Sequence, residues 1–338
     1  MPRFSYRNKL RLKKLLRFLL ILLAALLAVS LVLLIYVEPY VVYDRNGVRL
    51  DFPDGEAATA PPATSKPRPV ISNPQILYSE DPIAEKTIAE TGGYYITAKM
   101  LKEPQAVLNA VKAIPEPCAV FIELKSIYGN FYYSTGIAGA PTASIDVSTV
   151  DEIIGYLREN HFYMIGVVPA FCDSAFALEN TACGLPLKSG ALWMDSNNCY
   201  WLDPADDLVK GYLMEIAREL SSLGFDEVAF DRFLFPDSSK IVYSSELSKP
   251  ELLQKTIGEL NAFAQGSSIK ISFVTEDTAF PAQEVKGRLY FPNVDGSKAE
   301  LYARSFENAP EVTELVFLAN SRDTRFEGRA QLRPLLSE

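Results

Sequence analysis

Residues 200–236 read YWLDPADDLVKGYLMEIARELSSLGFDEVAFDRFLFP, and this stretch decides the fold. It opens on Asp203-Pro204, residue types suited to the cap and first position of a helix, with Asp206 and Asp207 placed at its positive end. Leu208, Tyr212, Leu213, Ile216, Leu220 and Leu223 recur at helical spacing and form one apolar face. Gly224 stops the helix. A short strand comes next, in which Val228 and Phe230 point to one side and Ala229 and Asp231 to the other. A strand with a small inward residue and a carboxylate at its C-terminal end is what a (β/α) barrel presents at its mouth.

The same alternation extends in both directions. Strands are expected at Tyr94–Ala98, Ala119–Lys125, Tyr163–Phe171, Glu227–Phe233, Ile269–Glu276, Arg288–Pro292 and Leu315–Asn320. Helical patterns fall between them at Pro104–Ala113, Val147–Glu159, Asp206–Leu223, Pro250–Ala264 and Ser297–Phe306. Strands that alternate with helices predict a parallel sheet with helical crossovers. A closed (β/α)8 TIM barrel needs eight strands and about 250 residues. Seven are visible, so the barrel over 91–338 is either incomplete or closed by a strand near Gln331–Leu336. A doubly wound open sheet is the alternative, although neither a GxGxxG nor a Walker-type loop marks a nucleotide site.

Upstream the chain changes character. Phe18 to Val37 is an apolar run interrupted by one hydroxyl, Ser30, and is long enough to span a bilayer. Arg3, Arg7, Lys9, Arg11, Lys13, Lys14 and Arg17 precede it without an acid, which sets 1–17 in the cytoplasm and the chain beyond Val37 outside the cell membrane. A cleaved signal peptide has a shorter apolar core and small residues at its end, and neither is present here. Asn46-Gly47 predicts a hairpin within 38–51. Residues 52–90 begin rich in Pro and Ala and read as a linker. The whole chain has 33 basic and 42 acidic residues. Setting aside the seven N-terminal basic ones leaves 26 against 42, a net charge near −16. An outer domain of that charge is a poor partner for nucleic acid.

The pieces also resemble a known family. Gly224-Phe225-Asp226-Glu227, Phe230-Asp231 and Phe235-Pro236 match the GFDE…FD…FP core of a bacterial glycosyl hydrolase domain family of predicted TIM barrels. GYYITA at 93–98, AVFIELKSIYGNFYY at 119–133, MIGVVPAFCD at 164–173 and ALWMDSNNCYWLDP at 191–204 occur in the family's order. Glu123, Lys125, Trp193, Asp195, Asp203, Glu227 and Asp231 are kept in kind. Val167 stands where the family has arginine and Cys172 where it has lysine; Ser126, Arg232 and Leu234 also depart from its pattern. The resemblance implies a glycoside hydrolase-like barrel acting on a polysaccharide or cell-wall glycan. Its alternative is a barrel without catalysis that binds glycan or serves as an envelope scaffold.

Glycoside hydrolysis needs two carboxyl groups across the scissile bond. Asp231 and Glu276 are the expected catalytic pair. A fainter resemblance to the alpha-amylase superfamily gives Asp231 the nucleophile's role, Glu276 the acid's and Asp323 that of a substrate clamp. Glu123, Lys125, Trp193, Asp195, Trp201, Arg232 and Asp323 are the expected substrate contacts, and Trp193, Tyr200 and Trp201 could form a stacking platform for sugar. The loop from Cys172 to Tyr200 is long for a connector and is expected to wall the cleft. No cofactor is implied. The four cysteines and His161, the one histidine, have no zinc-type spacing. Cys183 and Cys199 share a loop and are either disulfide-bonded or free.

Overall fold

The computed structural model describes residues 41–44, 47–50, 87–319, 324–326 and 328–336. The basic tail, the apolar run 18–37 and most of the linker lie outside the described residues. Among those described, no helix is long and apolar enough to cross a membrane. The chain divides into two units, Met1–Tyr78 and Ser79–Glu338. In the first, β1 (Val41–Asp44) and β2 (Gly47–Leu50) pair antiparallel, with Val41 opposite Leu50.

The second unit is a closed barrel of eight parallel strands. A single helical turn, α1 (Ile88–Thr91), precedes β3 (Gly93–Ile96). Then come α2 (Pro104–Lys112), β4 (Ala119–Glu123), α3 (Val147–Glu159) and β5 (Tyr163–Pro169). The short α4 (Ser174–Glu179) and the long α5 (Asp207–Leu223) lead to β6 (Glu227–Asp231). They are followed by α6 (Lys249–Ala264), β7 (Lys270–Val274), β8 (Arg288–Pro292), α7 (Ala299–Ser305), β9 (Glu314–Leu318) and β10 (Ala330–Pro334). β10 closes the ring, pairing with β9 on one side and β3 on the other. It is the strand missing from the count of seven, and it falls where the sequence left room for it. The open-sheet alternative is thereby excluded.

Helix α5 shows how local chemistry fixes the phase. The cap is Asp206, not Asp203: its carboxylate accepts from Leu208 N at 2.8 Å and Val209 N at 3.3 Å. Asp203 turns the chain before the helix, accepting from Ala205 N and Tyr243 Oη. The buried face is then Val209, Tyr212, Leu213, Ile216, Ala217 and Leu220. Leu208 stays exposed because it lies roughly 100° round the helix from the middle of that face. Gly224 ends the helix in the left-handed conformation, φ 96°, which costs glycine little. Lys210 reaches Asp207 and Glu259, both at 2.7 Å, and so ties α5 to α6.

The N-terminal end of the barrel is plugged by charge. Glu227 opens β6 and is fully buried. Arg288, which opens β8, meets Glu227 Oε2 at 2.5 Å and Glu314 Oε2 at 3.0 Å. Tyr163 and Tyr290 donate their hydroxyls to Glu227 at 2.9 and 2.8 Å. Glu314 also accepts from Ile88 N and Ala89 N, so the same network holds the first turn of α1. Losing one partner of a buried ion pair typically costs about 3–5 kcal/mol, because the other charge is stranded. Glu227→Ala is therefore expected to lower unfolding stability by that amount in urea titrations. A loss below about 1 kcal/mol would mean that water reaches Arg288.

Candidate active site

The odd-numbered residues of β6 face inward, so Glu227 lies at the bottom of the barrel and Asp231 at its mouth. A cavity of about 790 Å³ opens at that mouth, within the size range of small-ligand sites. Strand ends and the loops after them line it: Glu123, Val167, Asp231, Val274, Pro292 and Leu318 come from six consecutive strands. Phe121, Phe233, Phe235 and Phe280 supply apolar wall. Phe233 is wedged against Phe171 and Phe273, with ring centroids 4.6 and 4.7 Å away.

Asp231, Glu276, Glu123 and Arg232 thus share one cavity. Arg232 is left-handed at φ 52°, an uncommon state for a residue with a β-carbon. That turn lets Arg232 N donate to Asp231 Oδ1 at 2.7 Å, with Nε 3.6 Å from Oδ2. The Asp231 side chain is 40% exposed at the floor of the recess. Crowding by protein raises its carboxyl above the ordinary range; Arg232 works against this and the Glu276 charge adds to it. Glu276 lies just past β7. It accepts from Asn293 Nδ2 at 3.1 Å, and its backbone carbonyl accepts from Tyr302 Oη at 2.7 Å. Asn293 is also left-handed, φ 58°. Each of these left-handed residues follows a strand end and holds one carboxylate; the strain falls on Arg232, because asparagine adopts this state readily. Glu123 accepts from Ala98 N at 2.6 Å.

The remaining expected contacts lie elsewhere. Lys125 is fully buried and paired with Asp173 at 2.5 Å, and Tyr212 donates to the same carboxylate. Asp195 organises its own loop, accepting from Asn197 N, Cys199 N and Trp201 Nε1. Trp201 is buried, and Trp193 packs beside it with centroids 6.4 Å apart. No lining residue of the cavity comes from 172–200; the walls are the segments after β6 and β7. Asp323 lies outside the described residues. Asn293 was passed over in the sequence, though an asparagine directly after a strand-ending proline is a common left-handed turn. All four cysteines are free thiols. Cys183 Sγ faces Asp206 at 3.5 Å, while Cys199 Sγ donates to Ile127 O at 2.9 Å, so of the two states left open for Cys183 and Cys199 the structure shows the free thiols.

Over half of the chain, residues 93–276, matches the family described as "Putative glycosyl hydrolase domain". The chain belongs to that family. No curated protein matches it. Among solved structures it is similar to a hypothetical protein of Ruminiclostridium thermocellum. That match has 22% identity and a TM-score of 0.46, over 53% of this chain and 97% of that one. It is also similar to the alpha-galactosidase of Lactobacillus brevis, at 10% identity and a TM-score of 0.49, over 73% of this chain and 38% of the galactosidase. The trehalose-6-phosphate hydrolase of Bacillus licheniformis matches at 10% identity and a TM-score of 0.48, over 71% of this chain and 60% of that one.

The raised Asp231 carboxyl has a consequence for stability. The folded chain holds that proton more tightly than the unfolded chain does. The resulting stabilisation is present below the unfolded carboxylate value and is lost as pH rises through the raised folded value. At neutral pH the ionised group therefore works against the fold. Asp231→Asn is expected to raise the thermal midpoint at pH 7, and the gap should close as the medium is acidified below the ordinary carboxylate range. A lower midpoint at pH 7 would mean that pairing with Arg232 outweighs desolvation.

Proposed function

We propose that the barrel is a glycoside hydrolase held outside the cell by the apolar run 18–37, acting on a polysaccharide or cell-wall glycan through Asp231 and Glu276. The observation that carries the reading is this pair of carboxylates, from the ends of β6 and β7, lining one cavity with the Asp231 proton held more tightly than usual. A carboxyl group whose surroundings favour its protonated form, as those of Asp231 do, is suited to act as the acid. Asp231 then protonates the leaving glycosidic oxygen. Glu276, held by Asn293, attacks the anomeric carbon or takes a proton from water. This reverses the roles implied by the amylase likeness. Glu123 and Arg232 contact the sugar beside the scissile bond, and the phenylalanine walls pack on its apolar faces.

Glycan binding without cleavage is the second reading. It is favoured by Val167 in the cavity wall where the family carries arginine, and by Arg232 set against Asp231. Incubation of the full-length protein with purified wall polymers and an oligosaccharide panel separates the two. Hydrolysis should appear as new reducing ends, and Asp231→Asn and Glu276→Gln should each lower its rate by about 10²–10⁴-fold with the fold intact. The rate should fall at high pH as Asp231 loses its proton. Tight binding with no new reducing ends would leave the second reading standing.

The topology has its own measurement. Protease added to wall-stripped cells should digest the barrel and leave the N-terminal peptide. A protected barrel would place it in the cytoplasm.

A further inference from the structure

The loop after β5 returns along the chain that left the strand. Asp173 N donates to Tyr200 O at 3.1 Å and Leu202 N to Phe171 O at 2.7 Å, which sets Cys172 opposite Trp201 in an antiparallel bridge. Side chains alternate along an extended strand, so Cys199 lies on the same side as Trp201 and is the diagonal neighbour of Cys172. Both thiols are buried, at 1% and 0% exposure, and they interact directly. We propose that Cys172 and Cys199 are a built cross-link site, which becomes a disulfide when the chain folds on the oxidising side of the membrane. The proposal stands apart from the hydrolase reading; it rests on the thiol geometry and on the topology proposed above.

The chemistry is thiol–disulfide exchange with a protein or small-molecule disulfide. Cys199 is the more acidic of the two, because Cys172 donates to it, whereas Cys172 is pushed up by that same partner and by burial. The Cys199 thiolate attacks the external disulfide and expels one thiol. Cys172 then gives up its proton, and its sulfur attacks Cys199 and expels the second. One disulfide forms, one is reduced to two thiols, and no further redox partner is needed. The cross-link would close the excursion that carries α4, Trp193 and Asp195. Burial would then shield it from reductants.

Full-length protein is equilibrated with graded mixtures of reduced and oxidised glutathione. A brief exposure to urea and dilution allow access to the buried pair. The sample is then acid-quenched, alkylated in denaturant and digested. The expected result is a linked Cys172–Cys199 peptide in oxidising mixtures, with Cys118 and Cys183 alkylated throughout. For a closed loop of about 30 residues, the oxidised protein should melt about 5–10 °C above the reduced one. Cys172→Ser and Cys199→Ala should each remove that difference, and Cys183→Ser should retain it. Four alkylated cysteines in the most oxidising mixture, or a link through Cys183, would overturn the proposal.

Discussion

An arginine enclosed by eight strands has to be neutralised where it stands. Arg288 meets that condition through Glu227 and Glu314, and the tyrosines of β5 and β8 complete the hydrogen bonding of Glu227. The network joins four strands at their first residues and reaches out to α1. Because those partners cannot be exchanged, the register of β5, β6, β8 and β9 is set at one end of the barrel. The opposite end is then free to carry residues chosen for other purposes. Glu227 and Asp231 show the division on a single strand. Both are inward acids four residues apart; one is fully paired, whereas the other opens onto solvent with an arginine beside it.

That division explains the electrostatics of the mouth. Asp231 sits deep enough for desolvation to favour its neutral form, and Glu276 sits in the open. The two are held by neighbours in left-handed backbone, Arg232 and Asn293. An unstrained turn at either place would aim the following side chain elsewhere. The fold therefore sustains an unfavourable conformation at Arg232 and a left-handed turn at Asn293 within one cavity, next to the two groups able to transfer a proton or attack carbon.

Much of the barrel was legible because its elements are regular. Val147–Glu159 and Arg288–Pro292 appear with the bounds their patterns give, and the other strands differ mainly at their ends. β10 was hard to see because AQLRP carries little apolar signal; it is a strand because two neighbours leave it a slot. The site was legible only where strand ends could be counted, which brings Glu123, Asp231 and Glu276 to one cavity. Lys125 misled because a strand-end lysine looks exposed until Asp173, 48 residues on, is seen to bury it. The tryptophans misled for a related reason: Asp195 draws Trp201 inward, a contact with no local sequence signature. Cys199 shares a loop with Cys183 in the sequence, whereas antiparallel pairing of Cys172 with Trp201 sets Cys199 diagonal to Cys172.

The manner of closure also bears on synthesis. β3 is the first strand of the ring and β10 its last, yet they are hydrogen-bonded neighbours. During translation β3 can pair with β4 early, while its other edge stays bare until β10 has been made. For that interval the nascent sheet presents unpaired amides and carbonyls, the condition under which strands of separate chains join edge to edge. Chains made side by side on one message would be most exposed to this error. Rapid completion of β10, or a chaperone that covers β3, therefore guards against chain-to-chain association as well as misfolding.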